Sequence, residues 1–200
     1  MSGGMRHGNK GFSLIEIIVA VLIVGIISAT AIASVSTVHN ARVSTAASVF
    51  GSVMQVTREK AMGLDNTTDA DGISDVYLLL YIKNGNVYGD TYYGNEKLRS
   101  EKLSNDMVEV TFKNHKSSSA SIALKNTTNK MVKIFFKKST GGIGAIVQCD
   151  SVTDDSFDKY DDWIAHNSGS DFADTVVFEG PSEKKTVVIS IATGRCYLDE

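Results

Sequence analysis

The feature that most constrains this chain is an apolar run from 12 to 35 that contains one charge, Glu16, and no other until Arg42. As a helix, residues 12–35 would extend about 36 Å, more than a hydrocarbon core of roughly 30 Å. The segment before it carries Arg6, His7 and Lys10 and no acid. A carboxylate inside such a run opposes membrane insertion by about 2.5–3.5 kcal/mol, so it needs a task that repays it. A secretory signal would use the basic start, the apolar run and an A-x-A-like site at 29–31 or 31–33. A plain anchor would use the basic flank to hold its start inside. Neither gains anything from Glu16.

A third arrangement uses it. If the chain is cut between Gly11 and Phe12, the new amine lies one helical turn from Glu16. The carboxylate can then pair with an amine and complement the positive helix end. The residues Gly11-Phe12-Ser13-Leu14-Ile15-Glu16 closely resemble the start of type IV pilins and type II secretion pseudopilins: Gly, Phe, Ser/Thr, Leu, Ile/Leu, Glu. The resemblance implies cleavage after Gly11 by a prepilin peptidase on the cytoplasmic side, N-methylation of Phe12, and assembly through Glu16, Leu14 and Ile15. It implies as partners other pilin-like subunits, the peptidase/methyltransferase and the inner or cytoplasmic membrane. The expected location is a single-pass membrane protein with an extracytoplasmic head, then an extracellular or periplasmic filament. Many family members carry a proline in the apolar run; residues 31–33 have none, which favours a stiffer helix and a minor subunit. The closing residues 187–195 are similar to the end of H-type minor pseudopilins.

The expected divisions are a leader (1–11), a membrane or filament-core helix (12–35), an amphipathic continuation (36–63) and a β-rich head (64–200). In the continuation, Val43, Ala46, Val49, Phe50, Val53 and Met54 recur at three- and four-residue spacing. Gly63 fits a helix end. Beyond it, period-two runs predict strands at 76–82, 87–93, 107–113, 120–125, 131–138, 143–149, 175–178, 186–192 and 196–198. Asn84-Gly85 marks a hairpin. The expected fold class is α+β, a long helix packed on an antiparallel sheet.

In the head, Asp69, Asp71 and Asp75 around Gly72 have the alternation of an acidic calcium loop, without the glutamate that closes a full one. Residues 111–149 hold seven lysines and no acid, whereas 150–174 hold eight aspartates against Lys159. Lys133, Lys137 and Lys138 are therefore candidate contacts for a polyanion such as DNA, in a competence-type subunit. Phe157, Tyr160 and Trp163 are expected to pack the acidic insertion on the sheet. Two cysteines, Cys149 and Cys196, permit one disulfide in an exported head. The four histidines stand at no catalytic or metal-ligand spacing, and no enzyme activity or resident cofactor is expected. A membrane-anchored extracellular binding domain is the reading from another class.

Overall fold

The computed structural model describes residues 12–64, 72–104, 108–113, 121–124, 130–149 and 174–199, with backbone alone for 30–36. The chain divides into two compact units, Met1–Val38 and His39–Glu200.

The long helix α1 covers Leu14–Leu64. Its start follows from local chemistry. Ser13 is the cap: its carbonyl accepts from the amides of Glu16 at 3.0 Å and Ile17 at 3.3 Å, and its Oγ accepts from the Glu16 amide at 3.3 Å. A serine followed three residues later by glutamate is the capping-box pattern, which satisfies amides that the first turn leaves open. In the first unit the apolar side chains of 12–29 are exposed throughout. Among the described residues no helix is long and apolar enough to cross a membrane. The stretch 14–29 measures about 24 Å at 1.5 Å per residue, short of a ~30 Å core, and the rest of the expected span has no described side chains.

In the second unit α1 buries one side. Val43, Ala46, Ala47, Phe50, Val53, Met54 and Ala61 are buried in the main core. Thr57 falls on the same stripe and is also buried. Its hydroxyl donates to the Val53 carbonyl and bonds with that of Thr91, each at 2.8 Å, so nothing polar is left open there.

Among the described residues ten strands follow: β1 (Ile73–Lys83), β2 (Asn86–Tyr93), β3 (Glu96–Ser104), β4 (Glu109–Lys113), β5 (Ser121–Leu124), β6 (Met131–Lys137), β7 (Ile143–Cys149), β8 (Thr175–Glu179), β9 (Lys184–Ile189) and β10 (Cys196–Asp199). The expected α+β class holds, but the strands form two sheets where one was expected. Sheet A has the order β3-β2-β1-β6-β7 and sheet B the order β10-β9-β8-β4-β5. Every pairing is antiparallel. One apolar core joins the helix stripe to both sheets, through Leu78, Val132 and Ile134 of sheet A and Val110, Phe112 and Phe178 of sheet B.

The expected β1–β2 hairpin turns at Asn84 and Gly85, both at positive φ (51° and 76°), the combination that suits a tight two-residue turn. Strand β3 has no counterpart among the expected strands. Its sequence, Glu96-Lys97-Leu98-Arg99-Ser100-Glu101-Lys102-Leu103-Ser104, is mostly charged because it is a sheet edge with much of its length in water. The strand expected over 186–192 ends at Ile189, because Ser190 turns the chain, its carbonyl accepting from Thr193 and Gly194.

Candidate functional site

The first candidate is the start of α1. Phe12, Leu14 and Ile15 are 77%, 77% and 66% exposed, and Ile17, Ile18, Val21, Leu22, Ile23 and Val24 continue the exposure around the helix. A helix apolar on every side is one that other apolar material must surround. Glu16 is exposed in its first turn, where a carboxylate complements the helix dipole. The capping contact gives Ser13 a role that the spacing Ser13…Glu16 already signals in the sequence. The other partner of the expected cut, Gly11, lies outside the described residues.

Residues 6–32 match the family model of the prokaryotic N-terminal methylation motif. This motif is the signature of type IV pilin and pseudopilin precursors. No curated protein and no solved structure matches the chain. The methylation motif thus covers both partners of the expected cut and Glu16.

The head carries three further sites. In the first, Arg58 reaches from α1 to both sheets: Nε donates to the Thr193 carbonyl at 2.5 Å and a terminal nitrogen to the Thr140 carbonyl at 3.3 Å. Thr140 lies in the β6–β7 turn and Thr193 in the β9–β10 turn, so one guanidinium closes two turns. Beside it a groove of about 440 Å³ is lined by Gly51, Gln55, Arg58 and Glu59 of α1 and by Gly194, Arg195, Cys196 and Tyr197.

In the second, Asp90 is 1% exposed yet fully engaged on the outer face of sheet A. Tyr81 Oη donates to Oδ2 at 3.1 Å, Lys97 Nζ to Oδ2 at 3.0 Å and Ser100 Oγ to Oδ1 at 2.6 Å. These bonds tie the charged edge strand β3 to β2. The Asp90 hydrogen bond and charge raise Lys97 above its ordinary value. Burial first, then Asp90, pushes the Tyr81 phenol up.

In the third, Lys133 lies on the same face, 1% exposed, with Nζ 5.3 Å from the centre of the Tyr77 ring. The expected polyanion trio therefore does not form. Lys133 sits on β6, in the interior of sheet A, and strand alternation turns it toward Tyr77 and Phe135, while Lys137 is exposed and Lys138 half-buried.

The expected disulfide is also corrected: no disulfide joins Cys149 to Cys196. Cys149 ends β7 in sheet A and packs in the cluster on its outer face, whereas Cys196 opens β10 in sheet B against the main core. Of the calcium trio, Asp69 and Asp71 lie outside the described residues. Asp75 is on β1, where its carbonyl accepts from the Gly94 amide at 3.0 Å. The insertion carrying Phe157, Tyr160 and Trp163 is likewise outside the described residues.

Burial pushes the Cys196 thiol from 9.0 up to about 12. Both Cys196 and Tyr81 are acids held protonated more firmly in the fold than in the unfolded chain. Their contribution is complete at neutral pH and is lost as pH rises past 9.0 for the thiol and 10.0 for the phenol. Urea denaturation at pH 8, 10 and 11 should show stability falling through that window, with a shallower fall in Cys196→Ser. Equal slopes in the two chains would exclude the thiol as a cause.

Proposed function

We propose that this chain is a minor pilin or pseudopilin, a non-catalytic assembly subunit held in the membrane as a precursor and built into a filament or tip complex after cleavage. The observation that carries the reading is the start of α1. An apolar surface exposed on every side over residues 12–29 lies within the methylation motif, with one carboxylate in its first turn. Packed among like helices, that surface leaves water, at roughly 25 cal/mol per Å² of apolar area. Glu16 then has no water to solvate it, and a neighbouring Phe12 amine is the partner that restores its solvation. An unmatched carboxylate resists every other axial position, so Glu16 sets the register between subunits. The membrane-spanning role of 12–35 belongs to this proposal.

The test is the mature N-terminus in cells that contain a prepilin peptidase. Mass spectrometry should find a chain beginning at Phe12 with a methylated amine, and Glu16→Gln should be cleaved equally well but excluded from sheared filaments or the cross-linked tip complex. An intact Met1, or a terminus near 32–34, overturns the cleavage; normal incorporation of Glu16→Gln overturns the assembly contact.

A further inference from the structure

Sheet B ends at β10, and the pattern of hydrogen bonds shows which way its backbone points. Ser190 donates to the Arg195 carbonyl, and the ladder pairs Tyr197 with Val188 and Asp199 with Thr186. On the other side of β9, Ile189 donates to Asp174. Alternation along an antiparallel pair therefore turns the amides and carbonyls of Arg195, Tyr197 and Asp199 toward β9 and those of Cys196 and Leu198 outward. The outward edge borders the 440 Å³ groove, and a Cβ on Gly51, across that groove, would meet nothing within 4 Å. Tyr197 is 55% and Leu198 51% exposed. Open backbone and exposed apolar side chains together make a surface for an added strand.

The side chains say which strand. Arg195, Tyr197 and Asp199 share one face in the order cation, aromatic, anion, and among the described residues neither charge has an ion-pair partner. That order is its own complement when reversed. We propose that β10 is a homotypic docking edge that pairs antiparallel with β10 of a second copy about a two-fold axis at Tyr197. In this register Cys196 faces the second copy's Leu198, so the four outward amides and carbonyls at each crossing meet as bonded pairs. Arg195 faces the second copy's Asp199, twice by symmetry, and the two tyrosines meet at the closely spaced non-bonded position. Moving the register to centre on Cys196 would set Leu198 against the second copy's Gly194, whose amide already bonds Ser190, and centring on Cys196 or Leu198 sets Arg195 or Asp199 opposite tyrosine. Charge thus selects the register.

An antiparallel pair also reverses one head relative to the other. The contact goes beyond the assembly role of α1 and does not depend on cleavage.

The test uses the full chain in detergent, with association followed by sedimentation. Arg195→Asp and Asp199→Arg, both at exposed positions, should each weaken self-association about tenfold by placing like charges opposite one another, and the double exchange should restore it. In a Cys149→Ser, Cys196→Ser background, Tyr197→Cys should form an intermolecular disulfide under mild oxidation, since residues at that position lie about 4.5 Å apart. Association that ignores both single exchanges, or a double exchange that stays weak, overturns the proposal; so does the absence of the disulfide. Association through α1 would appear as the first of these outcomes, and a failure here leaves the N-terminus test above untouched.

Discussion

Phe50→Ala is expected to destabilise the head by about 3–5 kcal/mol, the cost of emptying a fully buried aromatic site. Phe50 is 0% exposed on the inward stripe of α1, and its ring lies 5.4 Å from that of Phe178 on β8 at a tilt of 54°. The loss combines transfer of the ring to solvent, the tilted ring contact and the void left between helix and sheet B. Because α1 and both sheets share one core, the void cannot close by moving one hairpin. Phe50→Leu, which fills most of the volume, should cost less than half as much. Urea unfolding followed by far-ultraviolet circular dichroism measures both. Equal and small losses would show that the helix stripe does not hold the head together.

The second large effect is expected at Gly194. Its φ is +65°, a conformation that a side chain resists, and an added Cβ would run into the Gly141 carbonyl oxygen and lie 3.2 Å from Arg58 Cδ. Gly194→Ala should cost about 2–4 kcal/mol, from backbone strain plus displacement of the neighbouring turn. The damage should spread, because Arg58 binds the carbonyls of Thr193 and Thr140 and the Ile143 amide donates to Ile191. These contacts bring the β9–β10 turn of sheet B against the β6–β7 turn of sheet A. Hydrogen exchange should therefore rise in both turns of Gly194→Ala, and a rise confined to 190–195 would refute the coupling.

The two sites differ in how far the sequence announced them. Phe50 was legible, since Val43, Ala46, Phe50 and Val53 repeat with the period of a helix that buries one side. The Gly194 turn was legible only as a turn. That its carbonyl neighbour and its clamp come from residues 53 and more positions away is a product of packing. Strand β3 was invisible because edge strands need no apolar alternation, and its anchor, Asp90, is written as an ordinary aspartate. Lys133 shows the converse error: seven lysines in a row of strands suggest a surface, yet a strand inside a sheet has two faces and both are covered here.

By itself the sequence determined the start of the chain. Gly11 to Glu16 and the apolar run are local facts, carried by neighbours within one or two helical turns, and the methylation motif rests on the same residues. It also determined most strands, the Asn84-Gly85 turn and the helix stripe, because each depends on period and turn chemistry within a few residues. Only the tertiary structure decided how the described strands divide into two sheets, that Cys149 and Cys196 stand in different ones, and that β10 is left as an edge. Strand order and sheet membership depend on contacts between residues far apart in sequence, and a period-two pattern is the same whichever neighbour a strand takes.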